Sequence, residues 1–159
     1  MSDDVCLSCG PGERSPDNLV ACIEQFKDQF LGEWAPRDGL TFCNIAAQTI
    51  TAALQCPIPM ALANEQAAWL DGVAGRQMGW QETTREDAIL WAQMGGPCLV
   101  TWINPAAGGH GHIAILRPVP KDDDPARAPF IAQAGRDNFW CGTLARGFGH
   151  HPVRYWRHS

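Results

Sequence analysis

Three side chains, Cys43, His112 and Gln133, are of the types and in the order that nucleophilic catalysis by cysteine requires. Cys43 stands at the predicted start of a helix, where unpaired amides and the positive end of the helix dipole lower the pKa of a thiol and favour the nucleophilic thiolate. An imidazole must accept the proton of that thiol and later deliver it to the leaving amine, and His112 opens a predicted strand. Together these residues predict a cysteine nucleophile served by a histidine base.

A third polar residue has to hold the far nitrogen of His112 and fix its tautomer. Alternate side chains of a strand share a face, so a residue on the adjacent strand can reach that nitrogen. Gln133 is the polar residue within the apolar stretch Phe130–Ala134, and Asn138 is a second candidate. Each residue type alone has a simpler explanation, since a cysteine taken at random is more often a small buried apolar residue. The order of the three residues and the elements around them favour catalysis.

The elements that must position these residues follow from the spacing of apolar side chains. Helical spacing and start signals predict helices over residues 18–31, 43–54, 61–71 and 83–94. Short apolar runs between turn signals predict strands over residues 98–103, 112–116 and 130–134, with a final strand over 153–156. Helices followed by a strand meander predict a single α+β domain over residues 1–159, in which N-terminal helices pack on an antiparallel sheet. Residues 1–18, rich in Gly, Pro and acidic side chains, are expected to form an irregular leader.

Composition and charge exclude several classes of protein. The chain has 159 residues, of which 45% are hydrophobic and 18% charged, and this is typical of a globular protein and not of a disordered or fibrous one. A net charge of −5 makes a general attraction to nucleic acid unexpected, although residues 126–159 carry five arginines and one aspartate. We interpret that basic segment as a solvated surface, with contact to an anionic polymer as the alternative. The chain contains no apolar run long enough for a membrane span and begins without the basic and apolar pattern of a signal peptide.

The seven cysteines are an odd number, so at least one thiol is expected to stay free or to pair with another chain. If Cys43 is the free nucleophile, the other six are compatible with up to three disulfides or with six reduced thiols. Cys6 and Cys9 form a CxxC pair that could be a redox pair or half of a zinc site, but no second CxxC follows. Three further histidines are interpreted as loop residues and not as metal ligands, namely His110, His150 and His151. One or two of the tryptophans in loops and at strand ends could line a groove, namely Trp34, Trp80, Trp102 and Trp140.

Over about residues 38 to 135 the sequence resembles the papain-like cell-wall hydrolases of the NlpC/P60 and CHAP type. Those enzymes have a catalytic cysteine at a helix start, a turn ending in proline, and a Gly-His strand followed by a strand with a third polar residue. The resemblance is carried by segments 41–44 (TFCN), 53–59 (ALQCPIP), 92–97 (AQMGGP), 111–115 (GHIAI) and 131–133 (IAQ). The residues beside the cysteine, Phe42 and Asn44, differ from the Asp-Cys-Ser-Gly that is common in NlpC/P60 proteins.

The resemblance implies a papain-like fold in which Cys43 is the nucleophile, His112 the general base and then acid, and Gln133 the orienting residue. It implies hydrolysis of an amide bond in the peptide stem of bacterial peptidoglycan, with no metal or cofactor. The backbone amide of Cys43 would meet the oxyanion in part, since amides at a helix start point into the site. The subfamily, and therefore the bond that is cut, stays open.

A cell-wall substrate and a chain made without a visible export signal imply delivery by another machine. By resemblance, the protein is expected to be an antibacterial effector of a type VI secretion system or a phage lysis or tail enzyme, acting in the periplasm or cell wall of a target bacterium. The remaining cysteines could then be oxidised after delivery, and a cognate immunity protein would be a partner. Two alternatives remain open. One is a papain-like peptidase, deamidase or acyltransferase acting on a protein or lipid, and the other is a non-enzymatic binding domain stabilised by disulfides or zinc.

Overall fold

Seven helices and six strands make up the part of the chain that the structure, a computed structural model, describes, residues 9–159. The α-helices are α1 (Pro16–Glu24), α2 (Lys27–Leu31), α3 (Cys43–Ala53), α4 (Ala63–Asp71), α5 (Val73–Gln77), α6 (Arg85–Gln93) and α7 (Leu144–Phe148). The strands are β1 (Trp80–Thr83), β2 (Cys98–Trp102), β3 (His112–Arg117), β4 (Phe130–Gln133), β5 (Phe139–Thr143) and β6 (Arg154–His158). The predicted α+β class with an antiparallel sheet is confirmed.

The six strands form one antiparallel sheet in the order β1, β6, β2, β3, β4, β5. Strands β2, β3 and β4 form the predicted meander and β5 extends it, because each of these strands pairs with the next along the chain. The last strand, β6, returns to the opposite edge of β2 and separates it from β1. Strands β3 and β4, which carry His112 and Gln133, are therefore neighbours near the middle of the sheet.

Helix α3 packs against β3 through its small side chains. Ala46, Ala47 and Ile50 lie in the core with at most 3% of their surface exposed. Burial of these side chains removes apolar surface of the helix and of the sheet from water. The close packing fixes the first turn of α3, and with it Cys43, against the start of β3.

The single helix predicted over residues 18–31 is wrong, because the chain forms two helices, α1 and α2, with a break at Gln25 and Phe26. The break lets the aromatic rings of Phe26 and Phe30 both pack on Trp34, with centroid distances of 5.7 and 5.0 Å. The helix also begins earlier than predicted, since Ser15 caps it by accepting a hydrogen bond from the amide of Asn18. The C-terminal end of the predicted leader is thus helical.

Four short elements were not predicted, namely α5, β1, β5 and α7. Each has four or five residues, which is too short for a clear apolar period. The other predicted elements are confirmed within two residues at either end. Thr83 ends β1, and the neighbouring Thr84 caps α6 by accepting from the amide of Asp87.

Four cysteines of the described chain, Cys43, Cys56, Cys98 and Cys141, carry free thiols. The free thiols at the last three positions correspond to the reduced alternative and not to three disulfides. Cys6, and with it the possible CxxC site, lies outside the described residues. No helix within residues 9–159 is long and apolar enough to cross a membrane.

Candidate active site

Cys43 is the first residue of α3 and follows an irregular loop, as the sequence predicts. The backbone amides of Ile113, Asn44 and Cys43 itself lie near its sulfur and favour the thiolate. Because Ile113 directly follows His112, the thiol lies beside the start of β3. Within residues 9–159 no hydrogen bond joins the Cys43 thiol to His112, and such catalytic contacts often tighten only when substrate binds.

The expectation of a lowered pKa at Cys43 is wrong. Burial raises the pKa of the Cys43 thiol above its ordinary value, and the three backbone amides that favour the thiolate lower it by less. The side chain is only 6% exposed, so little water solvates a negative sulfur. The resting nucleophile is consequently a neutral thiol that needs a base when it reacts.

The best-defined contact of the site is a hydrogen bond of 2.7 Å between His112 Nε2 and Gln133 Oε1. The orientation of the Gln133 amide is fixed from its other end, because its Nε2 donates to the carbonyl oxygen of Asp137 at 2.8 Å. The amide oxygen therefore faces the imidazole and accepts, so His112 Nε2 carries the proton. Nδ1 of His112 is left with a lone pair and can accept a proton from the nucleophile.

Register explains why Gln133 meets His112. Ile115 on β3 pairs with Ala132 on β4, and continuing that register by one residue places Gln133 opposite Ala114. Ala114 and His112 share one face of β3, so Gln133 is the diagonal neighbour of His112 on that face. Gln133 is 4% exposed, and its amide is bonded at both ends.

Asn138, the second candidate for the orienting residue, has a structural role instead. Its Nδ2 donates to the carbonyl oxygens of Phe30 and Trp34, at 2.9 and 2.8 Å. The two bonds tie β5 and its preceding loop to the end of α2 and the loop after it. Of the two predicted alternatives, only Gln133 contacts His112.

The surroundings of His112 favour its neutral form. Burial lowers the pKa of His112, the hydrogen bond to Gln133 raises it, and charge repulsion from His151 lowers it further, with burial as the largest effect. The ring of Phe148 packs against the imidazole at a centroid distance of 4.5 Å. A neutral imidazole beside a neutral thiol is a base poised to accept one proton.

Helix α7 and the loop before β5 hold Gln133 in place. A Cβ atom at Gly147 would lie 2.2 Å from Gln133 Oε1, so only glycine leaves room for the amide there. Next to it on α7, Arg146 forms a bidentate ion pair with Asp137 at 2.7 and 3.1 Å. The backbone carbonyl of Asp137 orients Gln133, and its carboxylate is held by α7. The same helix α7 packs on Gln133 and His112.

The loop before His112 is fixed by a side chain from α4. Asn64 Nδ2 donates to the carbonyl oxygens of Asn104 and Gly109, and its Oδ1 accepts from the amide of Asn104. Gly111 passes so close that a Cβ there would lie 2.1 Å from Asn64 Oδ1. These contacts set the point at which the chain enters β3 and presents His112.

A groove of about 570 Å³ opens over the imidazole. Its walls are the loop before Cys43, the loop between β2 and β3, and the segments on either side of β5 and α7: Gly39, Leu40, Thr41, Trp102, Asn104, His110, Gly111, His112, Gln133, Gly135, Arg136, Asp137, Arg146, Gly147, Phe148, Gly149 and His151. Cys43 lies beneath this groove and lines a small internal space together with Gln133 and Ile113. Gln133 therefore connects the buried thiol with the open groove.

Sequence reasoning missed several residues of this groove. His151 lies in a loop, as expected, and the sequence did not indicate that its ring stacks on Trp102 at 3.7 Å and that both line the groove. Asp137, Arg146 and Gly147 follow no motif and meet the site only through the fold. Asp137 and Arg146 belong to the basic segment 126–159, which was interpreted as a solvated surface. The expectation that one or two tryptophans line a groove is met at Trp102.

The part of the chain that the structure describes contains no group of three or more His, Cys, Asp or Glu side chains placed to hold a metal ion. The chemistry open to the described residues is transfer of an acyl group to a thiol with proton transfer through an imidazole.

Comparison of the chain with known protein families gave no match, and comparison with curated proteins gave none.

Proposed function

We propose that the protein is a cysteine hydrolase with a papain-like domain of the NlpC/P60 or CHAP type, and that it cleaves an amide bond in the peptide stem of bacterial peptidoglycan. The observation that carries the proposal is the hydrogen bond between His112 Nε2 and Gln133 Oε1, which leaves Nδ1 as a proton acceptor. The free thiol of Cys43 at the adjacent helix start supplies a nucleophile. Nucleophile, base and orienting residue then have the relation that catalysis by cysteine and histidine needs.

In the first half of the reaction, the sulfur of Cys43 attacks the carbonyl carbon of the scissile amide while its proton moves to Nδ1 of His112. The carbonyl oxygen gains negative charge, which the backbone amide of Cys43 stabilises by hydrogen bonding. Collapse of this intermediate breaks the carbon–nitrogen bond, and the imidazolium gives its proton to the departing amine. A thioester on Cys43 remains.

In the second half, water attacks the thioester and gives a proton to Nδ1 of His112. The carbon–sulfur bond then breaks, the carboxylic acid leaves, and the proton returns to the sulfur. Gln133 accepts a hydrogen bond from Nε2 throughout and so stabilises the imidazolium at both stages. Because thiol and imidazole are both neutral at rest, each half begins with one proton transfer to His112.

A peptide substrate is supported by the dimensions and lining of the groove. A groove of about 570 Å³ with mixed polar and aromatic walls fits an extended peptide of a few residues. The segments that resemble NlpC/P60 and CHAP enzymes lie at the nucleophile and at both strands of the base and its partner. Action on the cell wall of a target bacterium, delivery as an antibacterial effector and inhibition by an immunity protein belong to the same proposal.

Incubation of the purified protein with isolated peptidoglycan, followed by mass spectrometry of the soluble fragments, tests the proposal. We expect peptides with one new amine and one new carboxyl group from the wild-type protein and none from Cys43→Ala or His112→Ala. Cys141→Ala is the matched control, since Cys141 is a free thiol outside the site. Intact peptidoglycan after treatment with folded wild-type protein would contradict the proposal, and cleavage of a protein substrate instead would favour a papain-like peptidase.

Targeting the protein to the periplasm of a Gram-negative host tests the place of action. We expect lysis with the wild-type protein and normal growth with Cys43→Ala at equal expression. Equal lysis by both proteins would contradict a role of the thiol in toxicity.

A further inference from the structure

The groove over His112 is positively charged although the protein has a net charge of −5. Besides His112, the groove is lined by two arginines and two histidines, namely Arg136, Arg146, His110 and His151. Asp137 is the acidic residue that lines it. A groove whose charge is opposite to that of the whole protein attracts a ligand of the opposite sign. This distribution points to a negatively charged group on the substrate.

One of the two groove arginines is already neutralised. Arg146 forms its bidentate ion pair with Asp137, and its guanidinium stacks over the ring of Phe139 at 4.3 Å. Its charge and its fork of donors are therefore engaged within the protein. The net positive charge of the groove is left to Arg136.

Arg136 differs from every other arginine of residues 9–159 in having no hydrogen bond or ion pair. The other nine each donate to a carboxylate or a backbone carbonyl: Arg14, Arg37, Arg76, Arg85, Arg117, Arg127, Arg146, Arg154 and Arg157. A guanidinium presents five donors in a planar fork that matches a carboxylate. The arginine at the groove is thus the one whose donors are available to a ligand.

The backbone next to Arg136 lies against the reacting groups. A Cβ at Gly135 would lie 3.2 Å from Cε1 of His112 and 3.5 Å from Nε2 of Gln133. Arg136 therefore follows directly after a residue that lies against the imidazole, and it lines the groove into which the imidazole opens. The following residue, Asp137, is held by Arg146 and by Gln133, so the backbone that follows Arg136 is fixed.

We propose that Arg136 binds a free carboxylate of the substrate, located within about one residue of the scissile amide, and so selects anionic over amidated peptide stems. The inference rests on the proposed function and specifies its substrate class. Arg136 is a specificity-determining residue, and a carboxamide at the same position of the substrate cannot form the charge-assisted pair. Loss of the pair should weaken substrate binding more than it slows the chemical step.

Two synthetic peptide stems, identical except for a carboxylate or a carboxamide next to the scissile bond, test the proposal. We expect wild-type kcat/KM to favour the carboxylate peptide by about 10- to 100-fold, as for a hydrogen bond between charged groups. Arg136→Gln should make the two peptides nearly equal substrates, mainly through a higher KM for the carboxylate peptide, and Arg136→Lys should keep part of the preference. Arg127→Gln is the control, because Arg127 pairs with Asp123 outside the groove and its loss should leave the preference unchanged.

Binding of both peptides to Cys43→Ala, measured by calorimetry, separates failure of this inference from failure of the proposed function. One outcome is that the wild-type protein cleaves neither peptide, while Cys43→Ala binds the carboxylate peptide and loses this binding when Arg136→Gln is added. In that case the carboxylate site stands and the proposed reaction is wrong. If Arg136→Gln keeps the carboxylate preference of the wild-type protein in binding or cleavage, the inference is overturned. It is also overturned if the wild-type protein shows no preference between the two peptides. Absence of binding of either peptide overturns it as well.

Discussion

A methyl group at position 147 would collide with the amide that orients His112. In Gly147→Ala the new Cβ would lie 2.2 Å from Gln133 Oε1 and 2.7 Å from Ile131 Cδ1, far inside van der Waals contact. Gln133 is 4% exposed and its Nε2 is bonded to Asp137, so the amide has no free space to rotate into. Either the bond to His112 breaks or α7 moves away from β4.

The effect on stability is the difference of two opposing contributions. Replacing a helical glycine by alanine stabilises a helix by about 0.5–1 kcal/mol. A buried amide that loses its partner costs about 1–3 kcal/mol. The net change expected for Gly147→Ala is a destabilisation between about zero and 2.5 kcal/mol, which leaves a folded protein to assay.

The effect on activity should be larger. Partners that orient a functional histidine are commonly worth about 10- to 100-fold in activity, so kcat should fall by about that factor. The hydrogen bond that His112 donates to Gln133 raises the pKa of His112, and its loss should therefore move the acidic limb of the kcat/KM profile to lower pH. A purely structural defect would lower the amount of active protein without moving that limb.

Steady-state cleavage of a soluble peptide stem across pH, combined with thermal denaturation, provides the assay. Gly12→Ala is the matched control, because a Cβ at Gly12 has no neighbour within 4 Å. Wild-type kcat and an unmoved acidic limb in folded Gly147→Ala would refute the role of the Gln133 amide in orienting His112.

Three further predictions concern the neighbours of that hydrogen bond. Burial places the pKa of His112 below its ordinary value of 6.5. Wild-type kcat/KM should therefore rise with pH through that pKa, and the half-maximum of the acidic limb should lie below pH 6.5. A half-maximum above that value would contradict the buried neutral imidazole. Asn138→Ala removes two hydrogen bonds to backbone carbonyls and should lower the free energy of unfolding in urea by about 1–3 kcal/mol while leaving the acidic limb in place; a shifted limb would transfer the orienting role to Asn138. Asp137→Ala removes an exposed ion pair with Arg146 but keeps the backbone carbonyl that accepts a hydrogen bond from Gln133. At low salt kcat should fall by at most about fivefold, and this deficit in kcat should shrink as salt is added. A deficit that salt does not change would point to a different role of Asp137.

The central part of the site could be predicted because local patterns determine it. The helix start at Cys43 and the strands at His112 and Gln133 follow from apolar spacing within about ten residues of each position. Antiparallel pairing of adjacent strands then makes a contact between His112 and Gln133 possible. The register of β3 and β4, which strand order alone does not determine, places Gln133 on the same face as His112.

The rest of the site depends on contacts between distant segments. Arg136, Asp137 and Gly147 belong to loops and a five-residue helix, whose positions are set by packing against β3 and β4 and not by their own sequence. The pKa of Cys43 was predicted in the wrong direction for the same reason. The helix start is a local feature that lowers the pKa, whereas burial beneath the groove is a property of the whole fold and has the larger effect.

Alkylation of the thiols, followed residue by residue with mass spectrometry while peptide cleavage is assayed, tests most directly whether Cys43 is the nucleophile. The thiols of Cys56 and Cys98 serve as internal references, since burial raises the pKa of Cys56 to about 12 and also raises that of Cys98. We predict that activity is lost in step with alkylation of Cys43, that a peptide stem slows both, and that alkylation of Cys43 is slower in His112→Ala. Undiminished cleavage by protein in which Cys43 is fully alkylated would contradict the account.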